Sequence, residues 1–424
     1  MPDTLPPSSV IRCTQHLGKL DSKALEPVDQ LLLILPERIP AALWKRIPQG
    51  ARLQALLRKR RKGELPALQT RLAKKRQTLV VAGRIKPGSD AFARLSFARR
   101  LVAAALGEKA GSLGIAILGF DGDEERDLAE AAVAAALAAS FKLPEFKAKP
   151  TPPRIRSLRL LALTERVDLD RTIAEARGNN LARWLTALPP NVLDAAGYRR
   201  LATEIAKREG WGHRFFDEKA LARKGAGAFL AVSQGNASRD AGIIKLSWRP
   251  GAKKAPPALT LVGKGICFDT GGNNLKPFKG MLDMHEDMQG SAVALGLLLT
   301  LTRLDYPEPV DCWLAVTENR IGPTAYKSRD VVTASNGVSI EVIHTDAEGR
   351  MALADTLALA AADKPGLIID YATLTGACVS ALTTRYSGVC SIRPALYPEL
   401  VAAGATPGER GWGVPMDADC DEVL

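Results

Sequence analysis

The chain has 424 residues, of which 46% are hydrophobic and 25% charged, and its formal net charge is +12 at pH 7. Such a length exceeds what one compact core usually holds, so we expect two domains. No apolar run approaches the roughly 20 residues of a membrane-spanning helix, which argues against a membrane protein. The six cysteines form no C-x-x-C pair and the first residues carry no secretory signal, a pattern typical of the reducing cytoplasm.

The first part of the chain predicts a small α/β domain. Apolar runs and turn residues indicate strands over 31–35, 78–83 and 114–120, and helices over 52–60, 92–106 and 124–141. The last helix begins with acidic residues, which the helix dipole favours. Three prolines within 147–154 then interrupt the pattern. We therefore predict an N-terminal domain over residues 1–150 and a linker over residues 151–170.

Positive charge is concentrated in this N-terminal part. Residues 1–150 hold 26 of the 58 Lys and Arg residues but only 15 of the 46 Asp and Glu residues, and the densest clusters are 58–62 and 74–76. A basic face can bind polyanions, so a DNA-binding regulatory role, with or without an enzymatic one, is the alternative function. A solvated basic helix surface explains the same residues without any partner.

The second part of the chain predicts a larger domain built around a sheet. Apolar segments indicate strands over 241–248, 258–262, 312–316, 367–371 and 387–392, with helices over 168–188, 198–209, 291–304 and 351–362. Continuous apolar strands joined by crossover helices indicate a sheet covered on both faces. The predicted fold class is α/β with two domains. The larger is a catalytic domain over residues 171–424, with a central mixed sheet flanked by helices.

Charged side chains crowd into two segments of this larger domain. The hexapeptide T-D-A-E-G-R contains Asp346 and Glu348, and Lys264 and Asp269 lie just past the strand predicted over 258–262. Active sites of open α/β sheets gather beyond the carboxyl ends of strands, where we expect both segments. An extended backbone would also place Asp346 and Glu348 on the same side. Such oxygen-rich clusters suit two hard divalent cations that activate water, which indicates metal-assisted hydrolysis.

Each of these residues also has a purely structural explanation. Thr345 and Glu348 have the spacing of a capping box at the start of a predicted helix. Asp269 and the glycines after it are turn formers, and Asp287 is suited to cap the next predicted helix. Spacing alone leaves both interpretations open.

Taken together, these segments resemble the leucyl aminopeptidase family, the two-metal cytosolic aminopeptidases. The stretch V-G-K-G-I-C-F-D-T-G-G at 262–272 looks like the family's first metal segment, and T-D-A-E-G-R at 345–350 matches its signature. The stretch A-T-L-T-G-A at 372–377 matches the loop that follows. The resemblance covers roughly residues 165–415, and its motifs are highly specific.

The resemblance implies a metal-dependent aminopeptidase with two divalent ions per subunit, either Mn²⁺, Zn²⁺ or Mg²⁺. The implied metal ligands are Lys264, Asp269, Asp287, Asp346 and Glu348, with Asp269 and Glu348 bridging the two ions. Lys264 can bind a cation only as the neutral amine, so we expect its pKa to be depressed. A metal-bridging water would then attack the first peptide bond and release the N-terminal amino acid.

The resemblance also assigns roles to residues that bind no metal. Lys276 would stabilise the oxyanion, and Arg350 would hold a bicarbonate ion that acts as general base. The implied substrate-binding residues are Met284, Thr373, Leu374 and Gly376. Their largely apolar wall suits Leu and other apolar side chains. By resemblance we also expect peptide substrates, a homohexamer and a cytoplasmic location.

The chain departs from the family pattern at several positions. His344 replaces the Asn that begins the signature, and we expect it to alter the surroundings of the metals. The family continues past a segment like 411–412, so we expect this chain to lack the family's C-terminal segment. Lys276 and Arg350 would also suit an anionic substrate. A two-metal phosphoesterase is therefore a third candidate function, and assays with a leucine anilide and a phosphate ester distinguish it from a peptidase.

Overall fold

The computed structural model describes residues 5–6, 11–59, 65–73, 77–107, 111–149, 155–251 and 255–416. The chain forms two compact units. The N-terminal unit comprises residues 9–142, 151–173 and 375–424, and the central unit comprises residues 1–8, 143–150 and 174–374. Of the two basic clusters, only Arg58 and Lys59 fall within the described residues, and 60–62 and 74–76 lie outside them. No helix in the described ranges is both long and apolar enough to cross a membrane.

The N-terminal unit is built on a six-stranded sheet. Its strands are β1 (Cys13–Leu17), β2 (Gln30–Pro36), β3 (Leu68–Arg71), β4 (Leu79–Ile85), β5 (Ser112–Ile117) and β6 (Ser157–Leu163), and its first helices are α1 (Ala41–Trp44), α2 (Gly50–Arg58), α3 (Ala91–Ala105) and α4 (Gly122–Ser140). The order across the sheet is β1-β6-β5-β2-β4-β3, and only the β3–β4 pair is antiparallel. Every residue of β2 is buried, as expected for an apolar strand covered on both faces.

Strand β6 lies within the range 151–170 that the sequence predicts as a linker. It pairs in parallel with both β1 and β5 and therefore belongs to the N-terminal sheet. Residues 151–154 of the predicted linker lie outside the described residues. The predicted domain boundaries at residues 150 and 170 stay a prediction.

The central unit contains the mixed sheet that the sequence predicts. Its elements are α5 (Asp170–Thr186) from residue 174 onward, α6 (Ala195–Glu209), β7 (Gly212–Asp217), α7 (Glu218–Arg223), α8 (Gly227–Ser233), β8 (Gly242–Trp248), β9 (Leu259–Asp269), α9 (Phe278–Met281), α10 (Gln289–Arg303), β10 (Val310–Asn319), β11 (Val331–Thr333), β12 (Ser339–Glu341), α11 (Glu348–Ala361) and β13 (Leu367–Tyr371). The order across the five-stranded sheet is β13-β9-β10-β8-β7. Strands β13, β9 and β10 run parallel, whereas β8 and β7 are antiparallel to their neighbours. Strands β11 and β12 form a separate two-stranded sheet.

Strand β9 extends beyond its predicted range of 258–262. Its glycines interrupt the apolar pattern of the sequence, but close packing requires them. A Cβ on Gly263 would lie 2.4 Å from Ser291 Cα in α10, and a Cβ on Gly265 would lie 2.8 Å from Ala315 O in β10. Glycine is normally depleted in strands, which is why the sequence pattern stops too early. Lys264 therefore lies inside β9, whereas the sequence pattern predicts it just past a strand.

The last described elements belong to the N-terminal unit. They are α12 (Ala377–Leu382), β14 (Ser387–Val389), α13 (Tyr397–Ala405) and β15 (Gly411–Gly413). The Arg410 guanidinium lies 3.9 Å from the centre of the Phe92 ring and 4.2 Å from that of Tyr386, both within cation–π distance. Strand β14 ends before the predicted limit of 392, where Ile392 is 90% exposed.

Candidate metal centre

The central unit brings all five predicted metal ligands together. The Lys264 Nζ atom lies 2.8 Å from both Asp287 Oδ1 and Glu348 Oε1. Asp269, Asp346 and Glu348 each offer a carboxylate oxygen, and these three oxygens all lie within 4.8 Å of one another. Residues from the end of β9, the turn before α10 and the start of α11 therefore meet in one cluster, although they are far apart in the sequence.

Lys264 is held as a buried cation by its neighbours. Besides the two carboxylates, its Nζ donates to the Thr373 carbonyl oxygen at 2.8 Å, so all three ammonium hydrogens have an acceptor. Burial lowers the pKa of Lys264, but the carboxylates of Asp287 and Glu348 outweigh this effect and raise the pKa above its ordinary value. These side chains alone thus favour the ammonium form, and the depressed pKa expected from the sequence would require the added charge of cations.

Lys276 bridges the carboxylates on the other side of the cluster. Its Nζ lies 2.9 Å from Asp269 Oδ2 and 2.5 Å from Asp346 Oδ1. Burial opposes the charged form, but the bonds to Asp346 and Asp269 raise the pKa of Lys276 above its usual range. The two carboxylates therefore favour the charged form of Lys276.

The carboxylates themselves are difficult to ionise together. Burial is the main cause that raises the pKa of Glu348 to about 7; Lys264 lowers this pKa, whereas Asp269 and Asp287 raise it further. Burial likewise raises the pKa of Asp287 and of Asp346 above the ordinary range. Crowded carboxylates of this kind are stabilised in their ionised form when a further positive charge is bound among them.

The donor set fits divalent cations. Asp287 Oδ2 and Glu348 Oε2 are buried and have no hydrogen-bond partner within the part of the chain that the structure describes. An unpaired buried carboxylate oxygen is costly, and coordination of a cation would satisfy it. Carboxylate oxygens are the ligands that hard cations prefer, and a neutral lysine amine adds one nitrogen donor.

The start of α11 corrects one expectation about the hexapeptide and decides between two interpretations of Thr345. Glu348 is the first residue of the helix, so Asp346 and Glu348 do not share an extended backbone. The alternative explanation of Thr345 and Glu348 as a capping box does not hold in this described segment, because Ala347 precedes the helix with no side-chain cap. Thr345 Oγ1 instead donates to Gly271 O at 2.6 Å. The threonine thus ties the hexapeptide to the turn after β9.

Comparison with known proteins agrees with this geometry. The model of the "Cytosol aminopeptidase family, catalytic domain" matches residues 180–424, more than half of the chain. The chain belongs to the cytosol aminopeptidase family. The resemblance found in the motifs is thereby confirmed, together with the two-domain α/β fold class.

Several members of the cytosol aminopeptidase family are similar over most of the chain. A probable cytosol aminopeptidase of Stutzerimonas stutzeri is 39% identical over 287 residues, which cover 66% of this chain and 58% of that protein. One from Parasynechococcus marenigrum is 39% identical over 335 residues, covering 78% of this chain and 68% of that protein. The chain thus spans only about half to two thirds of the length of the curated relatives it matches.

Solved structures of leucyl aminopeptidases share the fold. A mutant of tomato leucine aminopeptidase superposes with a TM-score of 0.83 at 26% identity, covering 98% of this chain and 84% of that one. Leucyl aminopeptidase from Leishmania major, solved in complex with actinonin, gives a TM-score of 0.81 at 25% identity over 98% of this chain and 82% of that one.

The residues predicted to bind substrate and anion are placed differently from one another. Thr373 Oγ1 donates to Asp287 Oδ1 at 2.6 Å, so this side chain contacts the cluster directly. Met284 begins a short 3₁₀ turn that leads to Asp287, and Leu374 is 44% exposed. Gly376 precedes α12 and belongs to the N-terminal unit. Arg350 is exposed on α11, and its side chain forms no hydrogen bond or ion pair with the described residues. The roles of these residues stay predictions.

Three polar residues of the centre were missed by the sequence reasoning. Asn319 donates to Asp269 Oδ1 at 2.8 Å, Tyr326 donates to Thr345 O at 2.7 Å, and Asn274 Oδ1 accepts from Thr345 N at 2.8 Å. The available signal was a polar residue near the carboxyl end of a buried strand, since Asn319 ends β10. The strand predicted over 312–316 stops three residues too early to show it.

Proposed function

We propose that the chain is a metal-dependent aminopeptidase that releases Leu and other apolar residues from the N-termini of peptides. The observation that carries the proposal is the cluster of Asp269, Asp346 and Glu348 oxygens within 4.8 Å, joined through Lys264 to Asp287, in a chain of the cytosol aminopeptidase family. Because the chain spans only part of its relatives, the activity and the substrates are inferences from the cluster and the family together.

The residues of the centre would divide the chemistry among them. Lys264, Asp269, Asp287, Asp346 and Glu348 would hold the metals. Two bound divalent cations, Mn²⁺, Zn²⁺ or Mg²⁺, would supply Lewis acidity and a water of lowered pKa. The charged Lys276 would stabilise negative charge that develops on the peptide carbonyl oxygen. The substrate's free α-amine would bind at the metal site near Asp287, which would restrict cleavage to N-termini.

The remaining assignments extend this proposal. Arg350 would hold a bicarbonate ion as general base through its forked donors. Met284, Thr373, Leu374 and Gly376 would contact the first side chain of the peptide. The adaptable methionine there favours a broad preference among apolar residues. We also propose a cytoplasmic homohexamer, as the family resemblance implies. The relatives and neighbours named above provide no support for the DNA-binding alternative.

Chelator treatment should abolish hydrolysis of a leucine anilide, and added Mn²⁺ or Zn²⁺ should restore it. An N-acetylated leucine anilide, which lacks the free amine, should not be cleaved under any of these conditions. A phosphate monoester serves as the competing substrate, because Lys276 and Arg350 would suit its charge. Cleavage of the ester without cleavage of the anilide would show that the proposed peptidase activity is wrong and that the protein is a phosphoesterase.

Binding of Mn²⁺ should weaken as the pH is lowered through about 7, the raised pKa of Glu348. A cation competes with the proton for this carboxylate, so its affinity increases with the ionised fraction. Titration with Mn²⁺ at a series of pH values, in a buffer that does not bind metals, measures the effect. An affinity that stays constant across this range would show that Glu348 does not take part in binding.

A further inference from the structure

Asn319 connects the two halves of the metal centre. It ends strand β10, is fully buried, and donates through Nδ2 to Asp269 Oδ1 at 2.8 Å and to Thr345 O at 3.0 Å. Asp269 ends the neighbouring strand β9, whereas Thr345 directly precedes the segment that carries Asp346 and Glu348. One side-chain amide therefore spans two segments that are far apart in the sequence.

The contacts of Asn319 define the orientation of its amide. Both partners of the nitrogen are pure acceptors, which identifies that atom as the NH₂ group and uses both of its hydrogens. The other amide atom, Oδ1, is buried and has no hydrogen-bond partner among the described residues. An unpaired buried oxygen destabilises the fold. The residue thus accepts a cost in stability while it holds Asp269 and Thr345 in place, which points to a role in positioning.

The two Asp269 oxygens are directed toward different neighbours. Oδ1 accepts from Asn319 Nδ2 and from Gly271 N, each at 2.8 Å, while Oδ2 lies 2.9 Å from Lys276 Nζ. Donors to one oxygen of a ligating carboxylate orient the whole group and tune its affinity for a cation. Of the two donors to Oδ1, Asn319 is the one that also reaches the hexapeptide, whereas Lys276 links Oδ2 to Asp346.

We propose that Asn319 is a positioning residue that sets the separation between Asp269 and the Asp346–Glu348 pair, and so allows the centre to hold two divalent cations together. This inference rests on the proposed function. Loss of the amide would leave each carboxylate in the protein but would remove the direct link between Asp269 and Thr345 O, so that only Gly271 N and Lys276 would still orient Asp269. The site that needs Asp269, Asp346 and Glu348 at once would then be weakened most.

Neighbouring bonds provide a graded comparison. Tyr326 Oη also donates to Thr345 O, at 2.7 Å, but no hydrogen bond joins its hydroxyl to the Asp269 carboxylate. Tyr326→Phe therefore removes one support of the hexapeptide and preserves the bridge. Asn236 is the matched control, because it is a buried asparagine that donates to Thr317 Oγ1 at 3.1 Å and likewise has an unpaired Oδ1.

The test measures the binding of Mn²⁺ to the full chain after treatment with a chelator. Calorimetry measures the affinity and the number of ions, and electron paramagnetic resonance detects whether they are coupled. We expect the wild type to bind two ions and to show the spectrum of a spin-coupled pair. Asn319→Ala should weaken the binding of at least one ion about 10- to 100-fold, as for other lost outer-shell partners, and should lose the coupled signal. Tyr326→Phe should have a smaller effect, and Asn236→Ala none.

The outcomes separate the inference from the proposed function. Two tightly bound, coupled ions in a folded Asn319→Ala protein would overturn the inference and leave the aminopeptidase proposal intact. An equal loss in Asn236→Ala would also overturn it, since general packing would then be the cause. Failure of the wild type to bind any of Mn²⁺, Zn²⁺ and Mg²⁺ in the calorimeter would overturn both. If thermal unfolding shows that Asn319→Ala is not folded, Asn319→Leu replaces it, with a similar shape and no donor.

Discussion

Glu348→Gln should abolish hydrolysis of a leucine anilide and remove most of the affinity for divalent cations. Glu348 belongs to the cluster with Asp269 and Asp346 and also forms an ion pair with Lys264. Its Oε2 is buried without a partner in the described structure, as a coordinating oxygen would be. We expect kcat/KM to fall by about 10³-fold or more, which exceeds the 10- to 100-fold typical of an outer-shell partner.

This substitution should leave the fold intact. Burial already disfavours the ionised form of Glu348, so a neutral amide of the same shape is tolerated there, and Lys264 keeps Asp287 as its partner. Thermal unfolding in the presence of chelator measures this. Glu341→Gln is the control, because Glu341 is an exposed carboxylate paired with Arg329, and such pairs contribute little. If Glu348→Gln retained turnover and two bound ions, the assignment of this centre would be wrong.

Gly349→Ala should reduce activity by about 100-fold, a loss comparable to that caused by removing a hydrogen-bond partner of a metal ligand. Alanine is normally preferred to glycine in a helix by up to about 1 kcal/mol. Here an added Cβ would lie 2.6 Å from Lys264 Cε and 2.7 Å from Nζ, which is closer than such contacts allow. The lysine side chain is buried and held by three acceptors, so the methyl group can be accommodated only if Lys264 leaves its place in the cluster.

The effect on activity should therefore exceed the effect on stability. Gly122→Ala is the matched control, since Gly122 also lies in the first turn of a helix, α4, and its Cβ would meet only Glu165 Oε1 at 3.7 Å. That variant should keep full activity and unfold at the same temperature or slightly higher. Parallel measurements of leucine anilide hydrolysis, Mn²⁺ binding and thermal unfolding distinguish the two. Equal activity of both alanine variants would mean that Lys264 does not act from its observed position.

The sequence by itself determined the elements whose signals are local. Strand β2 is a continuous apolar run that is buried throughout, and α4 carries acidic residues in its first turn, as the predicted helix does. Apolar runs and acidic first turns of this kind depend on neighbours in the chain and can be detected without the fold. The residue types of the hexapeptide likewise indicated metal chemistry, since carboxylate oxygens suit a hard cation and this preference can be recognised without knowing the fold.

Elements that depend on a neighbour in space were missed. Strand β7 has the sequence G-H-R-F-F-D, which does not alternate between apolar and polar residues, and most of it is exposed. It becomes a strand because its backbone pairs with β8 at the edge of the sheet. The full length of β9 depends in the same way on the close approach of α10 to Gly263. Backbone pairing and helix packing of this kind leave no periodic signal in the residues concerned.

Tertiary structure alone decided how the predicted ligands are arranged. Lys264 projects from the middle of a strand, Glu348 from the start of a helix, and Asn319 from the end of the adjacent strand, so no single pattern of spacing unites them. Their distances, and the direction in which each pKa is shifted, arise from burial and from charges that meet only after folding. The chemistry is therefore encoded in the residue types, whereas the geometry that would make it work is a property of the packed sheet and helices.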